Sequence, residues 1–114
     1  MMPDEFARLR IYVGEDKRYH ELPLHQAIVR KARSLMLAGL TVFRGSQGSG
    51  HSTRLHTAEV LFSADLPVVI EIIDRRPQLQ PLIDALEKVE GIGLLTLEPV
   101  RVLRGPLATP ADSA

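Results

Sequence analysis

The stretch Arg44-Gly45-Ser46-Gln47-Gly48-Ser49-Gly50-His51-Ser52-Thr53-Arg54 gathers the residue types that bind anions. Glycines at 45, 48 and 50 let backbone N–H groups turn toward one point, and the hydroxyls between them add donors. Arg44, His51 and Arg54 supply positive charge, each arginine with a planar fork that matches a phosphate through two hydrogen bonds. The pattern has neither the lysine-serine ending nor the following helix of a P-loop, so that mechanism does not apply. A Gly-x-Gly element outside a strand-to-helix turn does not point to a dinucleotide fold either. Without further context the same composition also describes a plain surface loop. A second glycine pair, in Glu90-Gly91-Ile92-Gly93, reads as a helix cap plus turn or as backbone contact with a ligand lying between subunits.

Other chemistry has less support. His20, His25, His51 and His56 have no carboxylate at the spacing of a zinc site and read as solvated loop residues. The absence of cysteine excludes a disulfide framework, a thiolate metal site and a catalytic thiol. Ser34, Ser46, Ser49, Ser52 and Ser63 sit in no nucleophile elbow. Glu71 and Asp74 lie near a strand end, but closeness in sequence does not make an acid–base pair. Glu71 is expected across from a basic strand residue such as Arg10, and Arg75-Arg76 is expected in a solvated turn. The 14 basic and 14 acidic side chains balance to zero formal charge, which argues against nucleic acid as a partner. Met1 to Glu5 has no apolar signal core, and the apolar runs are too short to span a bilayer. A cytoplasmic location without membrane insertion is the expectation.

These residues need a scaffold, and its elements are legible as hydrophobic periods. Leu9, Ile11 and Val13 alternate with Arg8, Arg10 and Tyr12, the period of a half-buried strand closed by Gly14. Glu15 to Glu21 is a polar loop. Pro23 is expected to open a helix striped by Leu24, Ala27, Ile28, Ala32 and Leu35 and capped at Gly39. Leu40 to Phe43 is β-favouring and runs into the glycine loop. Leu66 to Ile73 is nearly unbroken Val, Ile and Leu and predicts a central strand buried on both faces. Pro77 is expected to open a second helix striped by Leu79, Leu82, Ile83, Leu86 and Val89, with Pro81 in about its first turn and Gly91 as the cap. Leu94 to Leu103 predicts a last strand, Pro99 marking an edge or bend.

The order strand, helix, strand, strand, helix, strand predicts an α+β fold: the ferredoxin-like split βαβ, a four-stranded antiparallel sheet with two helices on one face. The domain is expected over 6–104, with 105–114 a flexible tail. Apolar residues on both faces of Val68 to Ile73 leave one sheet face for a partner, so self-association is expected.

Several strings also resemble a bacterial and archaeal family of unknown function related to the PII signalling proteins. They are Leu9-Arg10-Ile11-Tyr12-Val13-Gly14-Glu15, Pro23-Leu24, Ile28-Val29, Ala32-Arg33, Ala38-Gly39-Leu40-Thr41-Val42-Phe43-Arg44-Gly45, Leu55-His56-Thr57-Ala58, Asp65-Leu66-Pro67-Val68-Val69-Ile70-Glu71-Ile72-Ile73-Asp74 and Leu94-Leu95-Thr96-Leu97-Glu98-Pro99-Val100. The resemblance covers about residues 8 to 104 without large gaps. It implies a non-enzymatic, cytoplasmic homotrimer whose clefts between subunits hold a small ligand such as AMP, ADP or ATP. It implies a long loop over each cleft, here Gly45 through Ala58. By similarity Arg44, Gly45, Gly48 and Gly50 map to the loop base and Gly91 to Gly93 to a second ligand loop, while His51 and Arg54 join the ligand-binding candidates by their charge. It also implies a partner protein, and genes of the family often stand beside fluoride-exporter genes, which suggests an ion transporter or channel. Two departures stand out: Gly48-Ser49-Gly50 replaces the commoner Gly-Phe-Gly, and the loop lacks the tyrosine that PII proteins use for nucleotidylation, Tyr12 and Tyr19 lying elsewhere. The alternatives are a metal- or ion-handling trimer like the divalent-cation tolerance proteins, motivated by the histidines, or an enzyme on a phosphorylated substrate held by Arg44 and Arg54.

Overall fold

The computed structural model describes residues 5–45 and 66–105. Gly48, Gly50, His51 and Arg54, most of the Gly45–Ala58 loop and nearly all of the expected tail therefore lie outside the described residues. Within them the chain forms β1 (Phe6–Gly14), a small hairpin of β2 (Arg18–Tyr19) and β3 (Leu22–Pro23), α1 (Leu24–Ser34), β4 (Leu40–Arg44), β5 (Pro67–Arg75), α2 (Arg76–Leu86) and β6 (Ile92–Val100). The main sheet has the order β4-β5-β1-β6, all pairs antiparallel. The strands that precede helices, β1 and β5, are the two central ones, as right-handed split βαβ connections require. The hairpin between β1 and α1 was not legible in the polar loop.

Alternation decides the layers. Ala7, Leu9, Ile11 and Val13 of β1 and Val68, Ile70 and Ile72 of β5 are buried against Leu24, Ile28 and Ala32 of α1 and Leu79, Leu82 and Leu86 of α2. Each fully buried Leu, Ile or Val here contributes on the order of 1.5–3 kcal/mol relative to exposure. Among the described residues no helix covers the other sheet face. β5 is thus not buried on both faces: its Val69, Glu71 and Ile73 are only half-covered, because the apolar run hides an ordinary two-residue alternation.

That open face is organised in rows by the strand register. Leu94, Tyr12, Val69 and Phe43 stand opposite one another from β6 across to β4, an apolar row near the end where β1 closes. The next row is polar: Thr96, Arg10, Glu71 and Thr41. Arg10 Nε donates to Glu71 Oε2 at 3.0 Å, as the sequence suggested, and Arg8 bridges Glu71 and Glu98. The Arg8 hydrogen bond pulls the Glu98 carboxyl below its ordinary range. Arg75 does not lie in a free turn; it ends β5 with its guanidinium over the Phe6 ring, 5.1 Å from the centroid. Arg76 begins α2 and donates to Gln80.

Both ends of both helices differ from expectation, and α2 runs from Arg76, not Pro77, to Leu86 with Glu87, not Gly91, as its cap. Leu24 is the first helical residue, and Pro23 precedes it. α1 ends before Gly39: Leu35 is its cap, and the left-handed residue is Met36, φ +60°. Met36 N–H donates to the Arg33 carbonyl and Leu37 N–H to that of Ala32, the two bonds of a Schellman motif with methionine in the glycine position. Gly39, φ +59°, instead lets the chain pass against Ile73, whose carbonyl would lie 2.7 Å from an added Cβ. Pro81 stands inside α2, a turn deeper than expected; its missing N–H leaves only the Pro77 carbonyl, in the exposed first turn, without a helical donor. β6 runs from Ile92 to Val100, with Pro99 on this edge strand as expected.

Candidate functional site

The antiparallel sheet places the C-terminal ends of β1 and β4 and the N-terminal ends of β5 and β6 at one end of the molecule. Four of the residues singled out by type therefore gather there: Arg44 and Gly45 leaving β4, and Gly91 and Gly93 entering β6. Gly45 N–H donates to the Pro67 carbonyl at 2.8 Å, and Glu15 N–H to that of Leu66 at 2.8 Å. These bonds hold the β4, β5 and β1 ends side by side. An added Cβ at Gly45 would lie 2.5 Å from Pro67 Cγ, in a rigid ring, so only glycine fits there.

Arg44 is not a free cation. Its guanidinium is paired with the Glu15 carboxylate, and both groups are largely solvated. His25, at the start of α1, shares this environment: burial holds its imidazole below the ordinary value, Arg44 pushes the same way, and Glu15 opposes them. Glu15 and His25 were not among the residues expected at the site. Glu15 had a signal, a carboxylate directly after the strand-closing Gly14; His25 had none beyond its type. The result is an arginine already oriented at the base of the loop, held by a solvated contact that a stronger anion can replace.

The glycines at 91 and 93 differ in what they require. Gly91 has φ +101°, and an added Cβ would meet Leu24 Cδ2 at 3.0 Å, so it is a turn residue packed on α1. Gly93 has ordinary φ, and a Cβ would lie 3.5 Å from the Tyr12 carbonyl, in normal contact. It sits where the β1–β6 register slips between Tyr12 and Val13, a bulge beside the apolar row.

The two groups of site residues share one end of the sheet but flank it. β4 and β6 are its opposite edges, three strand spacings apart, or about 14 Å. The backbones of Arg44 and Gly93 in one subunit are therefore too far apart for a single phosphate group to contact both. Among the described residues no group of three or more His, Asp or Glu could hold a metal ion. No helix among them is long and apolar enough to cross a membrane.

Comparisons with known proteins agree with this architecture. Residues 6–102 match the DUF190 family, described as uncharacterized ACR. The UPF0166 protein of Aquifex aeolicus (strain VF5) is 34% identical over 98 residues, 83% of this chain and 90% of that one. A crystal structure described as that of a PII-like signaling protein from Thermus thermophilus superimposes with a TM-score of 0.58 at 15% identity. It covers 89% of this chain and 92% of its own. At that identity the likeness is one of fold.

Proposed function

The chain belongs to the DUF190 family, and from that premise we propose that it is a PII-like regulatory module. In this reading it is a homotrimer that binds a small anionic ligand, an adenine nucleotide, in the clefts between subunits. Ligand binding then changes the surface offered to a partner protein such as an ion transporter. The role is non-catalytic.

One observation carries the proposal: the separation of the two site halves onto opposite sheet edges at the same end. A head-to-tail contact that sets the β4 edge of one copy beside the β6 edge of the next brings Arg44 and Gly45 up to Gly91 and Gly93. The apolar row supports the same contact. Its outer members, Phe43 on β4 and Leu94 on β6, are 46% and 52% exposed, large side chains that a neighbouring copy would cover. Repetition of such a heterologous contact closes into a ring when the rotation fits. In the cleft, Arg44 would exchange Glu15 for a phosphate and the glycine backbone would supply N–H donors. A nucleotide bound at Arg44 would change the surface around the β4 end and so couple occupancy to partner binding.

Light scattering after gel filtration tests the assembly, and calorimetry with ATP, ADP, AMP and cyclic nucleotides tests the ligand. The expected results are a mass three times that of the chain and a saturable heat with at least one nucleotide. At one hundred times the dissociation constant that ligand stabilises the fold by about 2.7 kcal/mol, easily seen in melting. A monomer at all concentrations, or no heat and no melting shift across the panel, overturns the proposal.

A further inference from the structure

Between α1 and α2 lies a groove of about 410 Å³ lined by described residues throughout, its floor reaching the core residues Leu24, Ile28 and Leu86. Small side chains create it. Ala27 on α1 and Ala85 on α2 line it together, and Leu24, Ile28, Leu86 and Val89 complete an apolar wall. Its charged lining is of one sign. Arg30 and Lys31 stand on it, no carboxylate does, and neither cation makes an ion pair among the described residues. Tyr19, held edge-on to His20 with centroids 4.5 Å apart, adds an aromatic wall with a phenol tip.

Concavity of this volume, an apolar lining and a few polar groups of one kind are the marks of a small-molecule site. The charge sets the ligand class. Two cations without an ion pair among the described residues, over an apolar wall, complement a molecule with an aliphatic body and an anionic head. The body would lie on Ala27, Ala85 and Val89, and the head would meet Arg30 and Lys31. We propose that the groove between the helices is a binding site for an aliphatic carboxylate. It is lined by the β2–β3 hairpin, α1, α2 and the turn after α2 rather than by the β4 end that carries Arg44, although Leu24 on its wall also packs against Gly91, and its test is kept separate from the nucleotide reading.

The probe is decanoate, titrated below its aggregation threshold into the isotope-labelled full chain while backbone amide shifts are followed. The expected result is saturable shifts centred on Ala27, Ile28, Ala85 and Val89, with decanol, the same body without the charge, at least fivefold weaker. Ala85→Trp, which fills the groove, should abolish the shifts. Because that variant can disturb packing, the exposed pair Arg30→Glu and Lys31→Glu provides a second test and should weaken decanoate at least tenfold with an unchanged circular dichroism spectrum. Equal binding of decanol, shifts centred on the open sheet face, or full affinity in the charge-reversed variant overturns the assignment. So does saturation of the same residues by an acidic amphipathic peptide when decanoate leaves them unmoved. Nucleotide binding measured in the charge-reversed variant keeps the two sites distinct: its loss there would count against independence, and its retention supports it.

Discussion

Replacing Glu15 by glutamine should strengthen nucleotide binding, an effect opposite to that of most substitutions at a binding site. In the free protein Glu15 occupies the Arg44 guanidinium. Any phosphate that takes its place must first break that pair. The side chains are 54% and 37% exposed, so solvent screens the pair and it holds about 0.2–1 kcal/mol. Removing the competitor returns that amount to the ligand, a gain of about 1.4- to 5-fold in affinity at 1.36 kcal/mol per decade. Arg44→Ala removes the charge-assisted hydrogen bond itself, about 1.5–3 kcal/mol, and should weaken binding by about 10- to 160-fold. The double variant should bind like Arg44→Ala alone, because without the arginine the carboxylate has nothing to compete for. Calorimetry of the four proteins with the nucleotide that binds the wild type, at one fixed ionic strength, gives the cycle. Weaker binding in Glu15→Gln, or Glu15→Gln effects of equal size with and without Arg44, would refute exchange of Glu15 for ligand as the mechanism.

Three further outcomes concern the fold and the site. Met36→Gly should stabilise the chain by about 0.5–1 kcal/mol, since an 86% exposed methionine at φ +60° gives up left-handed strain and no packing; a lower urea midpoint would contradict this. Gly39→Ala should destabilise by about 2 kcal/mol or more, because strain at φ +59° adds to a clash with the Ile73 carbonyl, and an unchanged midpoint would rule that contact out. His25 is held below its ordinary value chiefly by burial and then by Arg44, so the unfolded chain binds its proton first as pH falls. Its contribution to stability is therefore complete above the ordinary histidine value and is lost as pH drops toward the depressed one. His25→Gln should flatten the pH dependence of the urea midpoint in that window, and an identical slope would show that another group is responsible.

The sheet and its order were legible because side-chain alternation at Arg8 to Val13 and helical spacing from Leu24 and Leu79 leave few ways to bury the apolar faces. The Arg10–Glu71 pair was legible for the same reason, through register. What escaped was set by contacts distant in sequence. Gly39 looked like the helix cap because glycine suits a left-handed residue, yet the chain strained Met36 and kept Gly39 for its close pass at Ile73, a neighbour 34 positions away. The continuous apolar run in β5 suggested burial on both faces, because sequence alone does not say whether Val69 and Ile73 face a helix or a second copy. Of the candidate site, the glycines and Arg44 were visible by type. The ion pair that occupies Arg44 was not, since Glu15 reaches it only after β1 and β4 have been set on either side of β5.

Asp74 closes the β5 row of aliphatic residues at the end of the sheet remote from Arg44, 6% exposed. One carboxylate oxygen accepts the Ala38 N–H at 2.9 Å and the other accepts the Arg75 N–H at 2.7 Å. An amide of the same shape offers a single acceptor, so no neutral look-alike can do both tasks. The connection into β4 and the entry to α2 are thereby sewn to one short side chain. The two ends of the molecule are fastened by different means: a shielded stitch at one, a wet ionic latch at the other. A ligand drawn to the latch can work there without loosening the seam at the far end.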